Sequence, residues 1–524
     1  MKNKGFTLIE LLGVLIVLGI IVLISFPPII NQMRNMRNKV SEATLSLLYS
    51  ATTKYIEENK NTYPTKEDTT YCISLQTLVD AAIIAEPIND AQTGNEISLL
   101  KEVMVDIVSA GNITYSFVDA NGCGYIDPSG AKAPELVDGM IPIIRDAGNT
   151  KWLKADPKTT WYSYGEKKWA NAVLVTSATR TTYGQALAGT EILESNILMY
   201  YVWVPRFRYK LFNASFAAQT TKTIDIIFEG KRASDSNGVT NGSWLTHPAF
   251  TFGTNEVNGF WVAKFEAGYN GAVSAAGAQV ATPDLNKMIS KPSTYSWRSI
   301  ALANINTVVQ SATLNGNIYG LTANADSHIM LNIEWGATAY LAQSIYGKNA
   351  EVWINPNFNY LTGCAGTTVS NVSASICNAY STTDGQQAST TGNVYGIYDM
   401  SGGNGDLVMA TQYNSGTNTN LSVGSSGFAQ VTLDGAGMSK YIDKYLYGTT
   451  FGDQTAYNRS KTGDSMGETR GWNGDTANVM TNVDNYMVRG GIHDYTTTAG
   501  LFSFTKTTGA AGDRLGFRPA LIKQ

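Results

Sequence analysis

MKNKGFTLIELLGVLIVLGIIVLISFPPII, residues 1–30, decides how the rest of the chain is read. Lys2 and Lys4 precede Gly5, and from Phe6 to Ile30 the only charge is Glu10. The 20 residues Leu11 to Ile30 are uncharged, enough as a helix to span a hydrocarbon core of about 30 Å. The leader lysines predict a cytoplasmic N-terminus with the remainder exported. A secretory signal ends its apolar run at a small-residue cleavage site. Ser25-Phe26-Pro27-Pro28 offers none, and apolar residues resume beyond it. Glu10 is costly inside an apolar helix unless it reaches the interface or finds a partner. Two readings of it stand: an interfacial carboxylate of a plain anchor, or the partner of an amino group that cleavage after Gly5 frees on Phe6 of a neighbouring copy.

The string GFTLIELLGVLIVLGII, residues 5–21, resembles the class III signal of type IV pilins and pseudopilins. That resemblance implies cleavage between Gly5 and Phe6 by a prepilin peptidase, N-methylation of Phe6, and assembly with other pilin subunits through Glu10. It also implies residence as a single-pass protein of the cytoplasmic membrane, before an assembly platform there passes the subunit to a fibre at the cell surface. The doubled Pro27-Pro28, where the family commonly has one proline, predicts a bend, because each proline removes a helical hydrogen bond. Beyond it Ile30, Met33, Arg37, Val40, Thr44, Leu47, Ala51 and Tyr55 recur at steps of three and four. This pattern predicts an amphipathic helix running to about Asn59, ahead of Tyr63-Pro64.

Residues 60–128 read as a small α+β headgroup. YCISLQTLVDAAIIAEP suggests a strand or turn leading into a short helix. VMVDIVSA (103–110) and ITYSFVDA (113–120) alternate apolar and polar residues around a Gly111-Asn112 turn, the pattern of a hairpin. Cys72 and Cys123 bracket these elements, and an oxidising compartment favours a disulfide between them over two buried thiols. The arrangement resembles pilin headgroups in which such a pair pins the last strand. Cys364 and Cys377 form the second expected pair; of the three pairings that four cysteines permit, this one keeps each bridge within its own module.

Asp127 to Pro134 reads as a Pro/Gly/Ser linker, and 129–195 as a linker with a small β-module or as the first strands of the next domain. The rest, 196–524, is punctuated by NGFWVAKFEAGYN (258–270), KPSTYSWRSI (291–300), a helix around 332–345 containing Glu334-Trp335, GNVYGIYDMSGG (392–403), VRGGIHDY (488–495) and LGFRPALI (515–522). In this order the pieces resemble the sulfatase-modifying, formylglycine-generating family, which implies a C-type-lectin-like fold over about 200–522. The expected architecture is therefore α+β: a long N-terminal pilin helix (6–59, membrane-spanning over 6–30) with a small α+β headgroup, followed by a β-rich C-type-lectin-like domain.

The resemblance does not bring the enzyme with it. The family holds copper with a cysteine pair shortly after its RGG-type strand, and the segment after Arg489-Gly490-Gly491 has no cysteine. A tryptophan-rich element of relatives is replaced by Gly403-Asn404-Gly405-Asp406-Leu407-Val408, which puts any structural calcium there in doubt. His493-Asp494 lacks a nucleophile motif. Asp453, Asp464, Glu468, Asp475 and Asp484 lie in a Gly/Asn-rich stretch without regular calcium-loop spacing and read as a solvated acidic loop. No cofactor is implied.

Charged residues are 15% of the 524, below the roughly 25% of an average soluble protein, and the net charge is −4. That balance offers no basic footprint and speaks against nucleic acid as a partner. Hydroxyl- and amide-rich loops on an aromatic framework suit adaptable recognition of a surface glycan or protein. The expected function is a minor pilin or pilin-like adhesin, with no enzymatic activity. A pseudopilin of a secretion or competence system and a membrane-tethered enzyme are the alternatives.

Overall fold

The computed structural model describes residues 40–63, 65, 69–109, 111–118, 124–229, 240–273, 278–370, 375–414, 417, 419–447 and 462–524. The chain forms two compact units, 1–123 and 124–524. The apolar segment 6–30, with Gly5, Phe6, Glu10 and the doubled proline, lies outside the described residues.

In the first unit, helix α1 (Glu42–Glu58) begins where the Ser41 hydroxyl accepts the Thr44 N–H, satisfying a donor the helix cannot. It buries Thr44, Leu48, Ala51, Thr52 and Ile56. Leu47, placed on the packing face by the sequence pattern, is 59% exposed, and its neighbour Leu48 is fully buried instead. The true stripe runs 44, 48, 51/52, 56, one position off the expected one at Leu47 and again at Tyr55. Strand β1 (Thr69–Ser74), helix α2 (Leu75–Asp80) and strands β2 (Glu102–Ser109) and β3 (Asn112–Val118) follow. The strands pair antiparallel in the order β1-β2-β3. Val103, Val105 and Ile107 of β2 point into the core shared with Leu48, Ile73, Leu75 and Leu78. The alternation legible in VMVDIVS is thus one sheet face against the helix.

The second unit is built on a seven-stranded antiparallel sheet. Its members are β4 (Met140–Arg145), β5 (Trp152–Lys154), β6 (Asn171–Val175), β7 (Ile197–Pro205), β8 (Gly259–Ala263), β9 (Ala325–Ile329) and, last in the chain, β15 (Pro519–Lys523). Their order is β9-β15-β8-β7-β6-β4-β5. Every residue of β6, β7 and β8 is buried, so both faces of the sheet are covered. A second sheet places β10 (Gly405–Asn414) between β11 (Asp443–Tyr447) and β12 (Tyr486–Gly490), with β13 (Gly500–Thr507) beyond β12 and the short β14 (Leu515–Phe517) also beside β10. Helices α3 (Ser177–Gln185), α4 (Leu302–Ser311), α5 (Asn332–Ala342) and α6 (Gln430–Asp434) complete the frame.

The first of the two readings of 129–195, a module apart, is not what the sheet shows. β4, β5 and β6 are three of the seven strands, and the compact unit already begins at Gly124. Nor is 127–134 a free linker. Asp127 is buried and accepts the Tyr164 N–H at 2.6 Å. The indole N–H groups of Trp203 and Trp261 donate to the carbonyls of Lys132 (3.2 Å) and Glu135 (2.8 Å). These two rings face each other across β7 and β8, 5.2 Å apart, and a buried indole needs an acceptor. The Pro/Gly-rich segment supplies it.

Between β14 and β15 the chain leaves one sheet for the other, and Arg518 sits at the crossing. Its guanidinium reaches Asp406 of β10 through Nε and a terminal nitrogen, both at 3.3 Å, and donates to the carbonyls of Ala263 (2.8 Å) and Tyr398 (2.9 Å). Close by, Glu266 accepts the Asn404 N–H at 3.0 Å and the Ser296 hydroxyl, while Asp399 accepts Asn355 Nδ2 and the Gly363 N–H, each at 2.8 Å. Burial raises the Asp406 carboxyl to about 6 against the pull of Arg518. Burial, with the charges of Asp406 and Asp399, holds Glu266 well above the carboxylate range. Three carboxyl groups facing one cation cannot all ionise, so this knot keeps a proton at neutral pH.

Arg518→Met leaves Asp406 buried without its cation and should cost roughly 3–5 kcal/mol. Arg514→Met breaks a half-exposed pair with Asp494 and should cost about 1 kcal/mol or less. Denaturant unfolding followed by tryptophan fluorescence measures both, because all ten tryptophans lie in the second unit.

Candidate functional site

Beyond β12 the chain turns through Gly490 and Gly491, both at positive φ, and a Cβ on Gly491 would lie 2.8 Å from Ala499. The tight return presents His493, Asp494 and Tyr495 at the surface. The backbone N–H of His493 is anchored on the Gly403 carbonyl at 2.9 Å. Its ring meets Tyr360 edge-on at 5.0 Å, and the Arg298 guanidinium lies 4.1 Å from the same Tyr360 ring. Asp494 does not orient His493. It pairs with Arg514 at 3.0 Å instead, and the two neighbours sit in a turn rather than on a strand. Burial, aided by Arg514 and Arg298 and opposed by Asp494, lowers the His493 pKa below its ordinary 6.5. The imidazole is neutral at neutral pH and able to accept or donate one hydrogen bond. Tyr495 is 37% exposed, and Phe358, on the turn that carries Tyr360, is 47% exposed.

This face presents the exposed Phe358, Asp494 and Tyr495 and the partly covered His493 over the buried Tyr360 and Arg298. It lacks a nucleophile hydrogen-bonded to an oriented base, and Cys364 and Cys377 of the same unit are joined in a disulfide. In the first unit Cys72 is disulfide-bonded, and Cys123 lies outside the described residues. Sequence reasoning missed Arg298 and Tyr360 because nothing local links them to His493. The one signal was the Gly-Gly pair that forces the turn.

The tryptophans expected as the framework under the loops are mostly internal: only Trp244 and Trp353 escape full burial, and both are partly covered. Glu334-Trp335 is a packing and hydrogen-bonding element. Glu334 caps α5 by accepting the Leu331 N–H at 2.8 Å and holds His328 Nε2 at 3.0 Å, while Trp335 donates to the Leu501 carbonyl at 2.8 Å. Burial lowers the His328 pKa, but Glu334 and Asp326 overcome it and raise it to about 9, so the ring is cationic. Gly336 allows the 463–464 backbone to cross α5; a Cβ there would lie 2.1 Å from the Gly463 oxygen.

The acidic run does not converge either. Asp453 lies outside the described residues. Asp464 accepts the Tyr445 hydroxyl at 3.1 Å, Asp475 accepts the Phe502 N–H at 2.9 Å, and Asp484 pairs with Lys506 at 3.1 Å. Glu468 is fully buried between the hydroxyls of Tyr209 (2.9 Å) and Tyr340. Asp464, Glu468 and Asp475 are internal acceptors rather than the solvated loop expected, Asp484 is partly exposed, and among the described residues no group of acidic, histidine or cysteine side chains has metal-binding geometry.

Residues 1–26 match the family model described as a prokaryotic N-terminal methylation motif. No curated protein matches the chain. The chain therefore opens with a type IV pilin-like or pseudopilin N-terminus, which implies processing by prepilin peptidase, membrane anchoring and assembly with other pilins. Among the described residues no helix is long and apolar enough to cross a membrane.

Glu468 yields a pH test. Burial raises its carboxyl to about 8, against an ordinary value of 4.5. The protonated form is favoured in the fold, so its contribution is full below about pH 4.5 and is lost as pH rises towards about 8. Glu468→Gln keeps an oxygen acceptor for one tyrosine, offers an N–H to the hydroxyl oxygen of the other, and removes the titration. Unfolding midpoints of wild type minus variant should fall across that window; a pH-independent difference contradicts the assignment.

Proposed function

We propose that this chain is a minor type IV pilin, or pilin-like adhesin, which enters a fibre through its N-terminal helix and displays residues 124–524 as a non-catalytic, lectin-like binding unit. The observation that carries the reading is the methylation motif on 1–26 joined to a large compact unit distinct from the first 123 residues. A bulky unit crowds a helical lattice if every subunit bears one, which favours a sparse subunit. The order of the aromatic and glycine motifs, and their meeting around Arg518, support a C-type-lectin-like framework related to the formylglycine-generating family. The cysteine-free turn at 491–499 supports binding without oxidation, because thiolate sulfur is what selects Cu(I). The exposed face of Phe358, His493, Asp494 and Tyr495 is the binding surface of this reading, with a glycan or protein on another surface as its ligand. Display of several copies on a fibre multiplies a weak contact.

Cells lacking the protein should attach several-fold less to at least one host or matrix surface. Cells carrying Phe358→Ala with Tyr495→Ala should show the same loss while presenting normal amounts of the protein. Attachment equal to wild type on every surface contradicts the adhesin reading. Formylglycine formation by the purified chain, given copper, oxygen and a cysteine-containing sulfatase peptide, favours the membrane-tethered enzyme. Dependence of protein export on the chain favours the pseudopilin.

A further inference from the structure

The seven-stranded sheet also packs a second apolar cluster, in which Ile143, Trp152, Tyr200 and Phe265 meet Tyr380 and Tyr398. Two cations are enclosed there, and they differ. Lys264 is fully buried and its ammonium hydrogens are all accepted, by Asn171 Oδ1 (2.8 Å) and the carbonyls of Val394 (2.5 Å) and Gly396 (2.9 Å). It is a completed internal clamp between the sheet and the 394–396 backbone.

Arg145, at the end of β4, is not completed. It is 8% exposed, with its guanidinium 4.6 Å from the Trp152 ring and 5.7 Å from that of Tyr380. Its backbone N–H donates to the Tyr395 hydroxyl at 3.2 Å. Its side chain bonds the Tyr380 hydroxyl, but its Nε has no hydrogen-bond partner among the described residues, and no carboxylate there forms an ion pair with it. Tyr200, whose ring centre lies 6.2 Å from that of Trp152, is fully buried and its hydroxyl has no partner either. Enclosing a charge without a counter-ion is unfavourable, and an unpaired buried hydroxyl adds to the cost. At the rim lie the half-buried Lys291 and the exposed Glu194, whose carboxyl feels the charges of both Lys291 and Arg145. Asp146 also feels Arg145 and Lys264 is a third cation, so three cations against two carboxylates leave one positive charge over.

We propose that Arg145, Tyr200 and Lys291 form a receptor for one carboxylate group, walled by Trp152 and Tyr380, with Glu194 as the chain's own competitor at the rim. A planar guanidinium fork matches a carboxylate in a bidentate contact, and a tyrosine hydroxyl supplies a further donor. A single surplus charge suits a monoanion and leaves a phosphate dianion half uncompensated. The site is separate from the His493–Tyr360 face, so it stands or falls independently of the adhesin reading.

Isothermal titration calorimetry on the detergent-solubilised full chain tests it. Acetate, glucuronate and the α-amide of N-acetylaspartate, each a monoanion, are the carboxylate probes, the last two separating a sugar acid from an acidic residue; glucose and inorganic phosphate are the controls. At least one carboxylate should saturate the protein, with glucose silent and phosphate weaker. Glu194→Gln removes the competitor and should tighten binding several-fold, whereas Lys291→Ala should weaken it several-fold. Arg145→Lys keeps a charge but loses the fork, and should weaken binding about tenfold or more. The two rim variants keep the test decisive where the Arg145 variant does not fold. Absence of saturation in both wild type and Glu194→Gln overturns the proposal, as does phosphate binding equal to the carboxylates or indifference of affinity to both rim substitutions.

Discussion

Arg518 is the point on which the second unit turns. One residue earlier the chain is a strand of the smaller sheet, beside β10; one residue later it is a strand of the seven-stranded sheet, between β8 and β9. A guanidinium at such a crossing can serve both sheets because its five N–H donors spread in a plane. Here it spans a carboxylate of one sheet, a carbonyl at the end of β8 and a carbonyl of the 392–403 loop. The surrounding carboxyl groups are tolerable only because burial keeps them from all ionising. Breaking one partner strands the others in a water-free interior, whereas a matched apolar replacement of the whole knot need cost little. Its value lies in fixing one arrangement of the sheets rather than in gross stability.

That geometry explains why short, scattered motifs were legible in the sequence while the architecture between them was less so. KFE, GIYDMSGG and GFR stand out as spaced fragments over more than 250 residues, and they meet at one place: Lys264 and Glu266, Asp399, and Arg518. Elements set by local periodicity also read correctly in type: the 42–58 helix, the 102–118 hairpin and the buried helix at 332–342. The position of Leu47 did not, because a two-residue choice between Leu47 and Leu48 depends on what the helix packs against. The pairing of β4 with β6 and of β15 with β9 joins distant segments and leaves no local signature. α3 and α4 escaped notice because Thr- and Asn-rich segments such as SATRTTYGQ and LANINTVVQS have weak helix propensity, and packing of Leu302, Ile305, Val308 and Val309 decides α4.

The acidic residues of 464–475 show the same limit from the side of chemistry. In a Gly/Asn-rich stretch a carboxylate looks solvated, yet Glu468 is enclosed by tyrosines from residues 209 and 340. Burial of this kind is a property of the assembled fold. The aromatic residues, read as a framework under the loops, are mainly core. What reaches the surface after the Gly490-Gly491 turn is a smaller set.

The two ends of the account meet in the mature N-terminus. A large folded unit behind a methylation motif makes sense as cargo only if the leader is removed and the helix enters a fibre. Mass spectrometry of the protein recovered from sheared surface fibres tests this most directly. The account predicts a chain beginning at N-methylated Phe6, with residues 1–5 absent. A surface chain that retains Met1 to Gly5, or begins at any residue beyond Phe6, contradicts it.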